Sequence, residues 1–184
     1  MTRARLRQSP VALSRGFPPI AGVGARVLIL GSLPGRKSLE MGQYYAQPQN
    51  GFWRIMERLF GAGPALPYDV RLTRLRAAGV AVWDVLAAGE RSGSLDSAIV
   101  TSSIVINDFA SFFEEYPSIR LVCFNGAKAA QLYTRRVLPV LVPAAAGLPT
   151  QLLPSTSPAN ASLRFEEKLA RWSRALAAVG ARNE

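Results

Sequence analysis

Two polar segments carry the residue types that could grip a flat, polar ring and a phosphate together. The first is Gly31-Ser32-Leu33-Pro34-Gly35, resuming at Tyr44-Tyr45-Ala46-Gln47-Pro48-Gln49-Asn50-Gly51-Phe52-Trp53. The second is Leu153-Pro154-Ser155-Thr156-Ser157-Pro158-Ala159-Asn160. An aromatic face under a nucleobase contributes about 1–3 kcal/mol. A carboxamide such as that of Asn50 pairs with a base edge or orients a water. Hydroxyls and backbone amides ahead of a helix suit a phosphate. Each residue also has a plainer reading: Asn50 as a helix cap, Tyr45 as packing, residues 154–160 as a capping turn. Phe52 and Trp53 open an apolar stripe and read as core.

Three further turns belong with these. The Gly-x-x-Pro-Gly run at 31–35 makes a tight bend that lets a ligand come close to the backbone. It lacks both the G-x-G-x-x-G spacing of a dinucleotide site and the Gly-Lys-Ser/Thr of a P-loop. Trp83-Asp84 ends another apolar run, and Asp84 either touches substrate or bonds loop amides. In Asn125-Gly126-Ala127-Lys128, Asn125 reads first as a cap and Lys128 as a phosphate contact. Cys123, the lone cysteine, sits in an apolar run and reads as core. With one cysteine and no histidine, an intramolecular disulfide, Cys-based metal sites and His-dependent triads are excluded. No metal and no cofactor is expected.

The elements that must position these turns follow from periodicity. Residues 26–30, 80–85, 119–124 and 151–153 read as buried strands. Helical spacing marks 52–60, 70–78, 107–116 (with Asn107 as cap), 127–135 and 162–179. On the last of these, Leu163, Phe165, Leu169, Trp172, Leu176 and Val179 share a face. Residues 89–94 read as a loop. Strands alternating with helices predict an α/β fold, a three-layer α/β/α sandwich around a mostly parallel four-stranded sheet. Both polar segments then fall where open α/β sheets place ligands.

The 184 residues suit one domain over 25–184 behind a Pro-interrupted arm at 1–24. No apolar run reaches the roughly 20 residues of a membrane span, which predicts a soluble cytoplasmic protein. The formal net charge of +10 favours polyanionic partners. The Arg- and Ala-rich usage of a GC-rich genome produces the same excess, and charge alone does not separate the two.

Taken in order, Leu30–Gly35, Tyr44–Trp53, Val82-Trp83-Asp84-Val85, Phe124-Asn125-Gly126-Ala127-Lys128 and Leu153–Asn160 resemble the motifs of the uracil-DNA glycosylase superfamily. The nearest branch is its hypoxanthine-DNA (deoxyinosine) glycosylases. The resemblance implies a uracil-DNA glycosylase-like sandwich that flips a deaminated nucleotide and hydrolyses its N-glycosidic bond with water. Its partner is then DNA containing deaminated bases, hypoxanthine or uracil, met by a monomer in the bacterial cytosol or nucleoid. In this family Asn50 matches the catalytic candidate and Tyr45 the aromatic that stacks on the flipped base. Gly31 and Ser32 line the pocket, Ser155 grips the phosphate, and Thr156, Ser157, Pro158 and Asn160 enter the duplex. Leu33 departs from the pattern: many branches hold a water-positioning Asp or Asn there. No Lys lies in either segment, which predicts a monofunctional enzyme. The alternatives are a catalytically impaired lesion-DNA-binding module on the same scaffold and a nucleotide-binding enzyme unrelated to repair.

Overall fold

The computed structural model describes residues 13–180, and side chains as far as residue 177. In chain order the elements are β1 (Leu13–Arg15), β2 (Val27–Gly31), α1 (Arg36–Met41), α2 (Phe52–Phe60), α3 (Tyr68–Ala77), β3 (Val80–Asp84) and β4 (Leu86–Glu90). There follow β5 (Val105–Ile106), α4 (Phe109–Glu115), β6 (Leu121–Asn125), α5 (Ala127–Leu132), α6 (Pro143–Ala146), β7 (Thr150–Leu153) and α7 (Phe165–Gly180).

Four of these strands form one parallel sheet in the order β3-β2-β6-β7. A strand covered on both faces must be apolar along its length. Residues 27–30 and 80–82 meet that demand, none more than 2% exposed. The register sets Trp83, Leu30 and Phe124 side by side on one face. There α4 brings Phe109 and Phe112 against Trp83, and Tyr133, just past α5, packs on Phe109 and Phe124. On the other face Phe52 of α2 meets Trp172 of α7 edge-on, and Trp53 meets Tyr68 of α3 in the same way. The result is the expected three-layer sandwich. Right-handed connections lead from β2 to β3 on one side, and from β3 to β6 to β7 on the other. The sheet therefore reverses its direction of growth between β2 and β6, where a crevice opens beyond the strand ends.

Several expectations need correction. Residues 89–94 are not wholly loop: β3 bends through Val85 straight into β4, which pairs antiparallel with β1 and β5 in a second, small sheet. Pairing survives the bend because Val85 N–H donates to Gly31 O and Leu86 N–H to Ser32 O. The small side chains of Ala87, Ala88 and Gly89 gave no strand pattern to read. Asn107 does not cap α4. The cap is Asp108, whose carboxylate accepts from Ser111 N at 3.0 Å, while Asn107 Nδ2 donates to Asp84 O at 2.8 Å. Asn107 N–H is still engaged with Val85 O, one residue too early for a helix start.

Of the arm, residues 1–12 with Arg3, Arg5 and Arg7 lie outside the described part, as does the Val179 side chain. From Leu13 onward the chain is built into the fold: β1 pairs with β4, and Ile20, 3% exposed, bridges to Val82. Among the described residues no helix is long and apolar enough to cross a membrane.

Trp172 joins the closing helix to the sheet and the loop beyond it. Fully buried, it packs on Phe52 and donates Nε1–H to Pro154 O at 3.0 Å. Trp172→Ala is expected to lower stability by about 3–5 kcal/mol, read as a drop in the urea midpoint at constant m-value.

Candidate nucleobase and phosphate site

A cavity of about 410 Å³ occupies that crevice, within the roughly 300–1,000 Å³ of small-molecule sites. The C-terminal ends of all four parallel strands reach it: Gly31 from β2, Asp84 from β3, Asn125 from β6 and Ser155 just past β7. Ser32, Tyr45, Asn50, Thr156, Ser157, Pro158 and Asn160 line it too. Of the residues singled out from sequence only Lys128 is absent, half-buried on α5 away from the lining.

The first segment presents an aromatic platform and an amide. Tyr45 stacks on Phe52 with ring centres 3.9 Å apart and planes 20° from parallel. Its backbone lies at φ +53°, a left-handed conformation uncommon for a bulky residue. Neighbouring bonds hold it there: Tyr44 N–H donates to Tyr68 Oη, and Trp53 Nε1–H to Tyr44 O, both at 2.9 Å. The Tyr45 hydroxyl is buried without a hydrogen-bond partner. Burial, and next the Asp84 carboxyl, push this phenol upward from its ordinary value, so it stays neutral. Asn50 stands one residue before Gly51, the N-cap of α2, and lines the cavity. Its Oδ1 accepts from Phe52 N at 2.9 Å at the start of α2, which leaves its Nδ2 donors uncommitted by that bond.

The second segment is organised by a residue expected elsewhere. Asn125 does not cap α5, whose first residue follows an uncapped Gly126. Instead its Oδ1 accepts from Thr156 N at 2.8 Å and its Nδ2 donates to Thr156 Oγ1 at 2.9 Å. Thr156 O in turn accepts from Gly51 N–H at 2.9 Å. Thr156, expected among the residues entering DNA, is thus 2% exposed with its polar groups spent inside the protein. It is a strut. Gly126 lies at φ +100°, and a Cβ there would stand 3.0 Å from that of Ser155, so only glycine lets the two loops meet. Ser155 Oγ accepts from Ser157 N at 3.2 Å and stays on the cavity wall. Below it, Lys168 Nζ donates to Asn160 O at 2.6 Å.

The site holds more charge than the sequence suggested. Asp84, 4% exposed, is pushed up to about 8, first by burial and then by the Asp96 carboxylate, with Arg91 opposing. Asp96 was not foreseen at all. It accepts from Ser32 Oγ at 2.5 Å and lies 3.8 Å from Nη1 of the buried Arg91. The same guanidinium donates to the carbonyls of Leu33 and Pro34, pinning the first turn. Leu33 itself is 5% exposed within the core cluster and offers nothing to a water. Lys37 of α1, lying between the two halves of the first segment, also lines the cavity and pairs with Glu40 at 3.6 Å. No local pattern could reveal these contacts. Ser32 and Asp96 are 64 residues apart, and Asn125 and Thr156 are 31 apart.

Known proteins resemble this chain in sequence and fold. The sequence profile of the uracil DNA glycosylase superfamily matches residues 18–178. A hypoxanthine DNA glycosylase of Methanosarcina acetivorans is 40% identical over 149 residues, 80% of this chain and 89% of the relative. One from Methanosarcina barkeri is 37% identical over 147 residues, 79% of this chain and 87% of the relative. Both relatives are archaeal, so they lend nothing to the bacterial setting expected above. The solution NMR structure of a candidate uracil DNA glycosylase from M. acetivorans superposes with a TM-score of 0.76 at 34% identity. That match covers 92% of this chain and all of the other. By profile, relatives and fold, the chain belongs to the uracil DNA glycosylase superfamily.

Proposed function

We propose that this DNA glycosylase removes hypoxanthine from DNA, acting as a monofunctional hydrolase on a nucleotide flipped out of the duplex. The observation that carries the reading is the shared cavity of Asn50, Tyr45 and Ser155, residues from two distant segments. An extruded base would lie over the Tyr45 ring, whose far face is already backed by Phe52. The Asn50 carboxamide would orient the attacking water by hydrogen bonding, since an amide is too weak a base to take its proton. Ser155, with Ser157 and Pro158, would hold the phosphate beside the lesion. Thr156 drops out of that contact set and acts by joining the loops. The preference for hypoxanthine rests on the two relatives bearing that name at 40% and 37% identity. Extrusion costs a few kcal/mol and least at damaged pairs, which favours a deaminated base.

A duplex with a single inosine or uracil tests this directly. With enzyme in excess, alkali is expected to break the strand at inosine faster than at uracil; strands intact at both lesions overturn the activity. Asn50→Ala is expected to slow single-turnover release at least about tenfold, the low end for a positioned catalytic group. An unchanged rate removes Asn50 from the mechanism. Borohydride added during turnover is expected to trap no protein–DNA adduct. A trapped adduct would make Lys37 the first residue to replace and would end the monofunctional reading.

A further inference from the structure

Asp84 has properties that contact with a base does not use. It ends β3 next to Gly31 at the end of β2. A Cβ on Gly31 would run into Asp84 Oδ1 and stand 3.1 Å from the Tyr45 hydroxyl, so both oxygens crowd the space over that bare Cα. Asp84 Oδ2 and the Tyr45 hydroxyl are both buried without hydrogen-bond partners. Buried polar atoms are rarely left so, and Asp84 and Tyr45 both line the cavity, where an unpaired group points to a role in catalysis.

The charged and titratable groups around Asp84 are Asp96 and Arg91 from the segment after β4, and Tyr44 and Tyr45 from the loop before α2. Asp84, buried and beside the Asp96 carboxyl, keeps its proton at neutral pH. Asp96 accepts from Ser32 Oγ and lies 3.8 Å from Arg91 Nη1. A carboxylic acid that keeps its proton near neutral pH is poised to give it to a leaving group.

We propose that Asp84 is the general acid of the reaction, giving its carboxyl proton to a ring nitrogen of the flipped purine as the bond to the sugar breaks. The proposal rests on the glycosylase reading above. The electron pair of the C1′–N9 bond leaves with the base, and the Asp84 proton makes that base neutral. Water oxygen forms the new bond to C1′. The proton lost by that water restores the Asp84 carboxyl, so hypoxanthine and the sugar hydroxyl are the only products. Asp84 touches the leaving group, and Asp96 keeps the proton on it until transfer.

Single-turnover release from an inosine duplex, measured from about pH 6 to about pH 10, tests the assignment. The active form is the acid, so the wild-type rate is expected to hold below about 8 and fall about tenfold per pH unit above it. Asp84→Asn keeps the shape and a hydrogen-bond donor but has no proton to transfer. It is expected to bind the lesion duplex as wild type does, to react at least about tenfold more slowly at neutral pH, and to show no fall near 8. A variant as fast as wild type, or slow with the wild-type pH profile, overturns the general acid and leaves the glycosylase standing. A wild type inert on inosine overturns both. Should the variant fail to bind, the wild-type profile decides, and a rate level to about pH 10 overturns the proposal.

Discussion

The structure depends on the way Thr156 is held. Its N–H and hydroxyl oxygen meet the carboxamide of Asn125, and its carbonyl meets Gly51 N–H. Three loops separated widely in sequence are thereby fixed to a single buried residue. Hydrogen bonds of this kind contribute only about 0.5–1.5 kcal/mol each to stability, but a buried polar group left unpaired costs about 1–3 kcal/mol. Losing one partner would therefore strand the others. The spacing between the first segment and the second is a property of this node, with the parallel sheet as its foundation.

Electrostatics supply a second constraint. Arg91 is 6% exposed, and such a cation is tolerated only because carbonyls and a carboxylate surround its fork. By pinning the carbonyls of Leu33 and Pro34 it shapes the turn beside Gly31, and by facing Asp96 it steadies the loop that covers the cavity. Leu33, at the position where the resemblance to the family implies an amide or acid in many branches, is apolar and packed into the core. Polar groups reach the cavity from Asn50, Asp84 and Asp96 instead. The polar chemistry of this cavity therefore comes from a different set of backbone positions.

Much of this was legible in the chain. Continuous apolar runs ended by Gly31, Asp84 and Asn125 marked the parallel strands, and helical spacing from Phe52 and Phe165 marked two helices on one face. Tyr45, Asn50 and Ser155 stood out because a stacking ring, a carboxamide and a hydroxyl fell together in strand-to-helix turns. What escaped were the contacts made at a distance. Asn125 reads locally as a cap, and only the fold brings Thr156 within its reach. Asp96 carries no local signal, and only the return of the chain through β4 brings it to Ser32. The antiparallel sheet was hidden because alanine and glycine carry no alternation to detect.

The closing helix reaches back to the cavity through two donors, Trp172 Nε1 to Pro154 O and Lys168 Nζ to Asn160 O. Translation produces these residues after the segment they steady. A nascent chain already carries its stacking ring, its amide and its carboxyls, yet lacks both props until the helix has emerged from the ribosome and coiled. The two props are therefore the last parts of this loop's support to be synthesised.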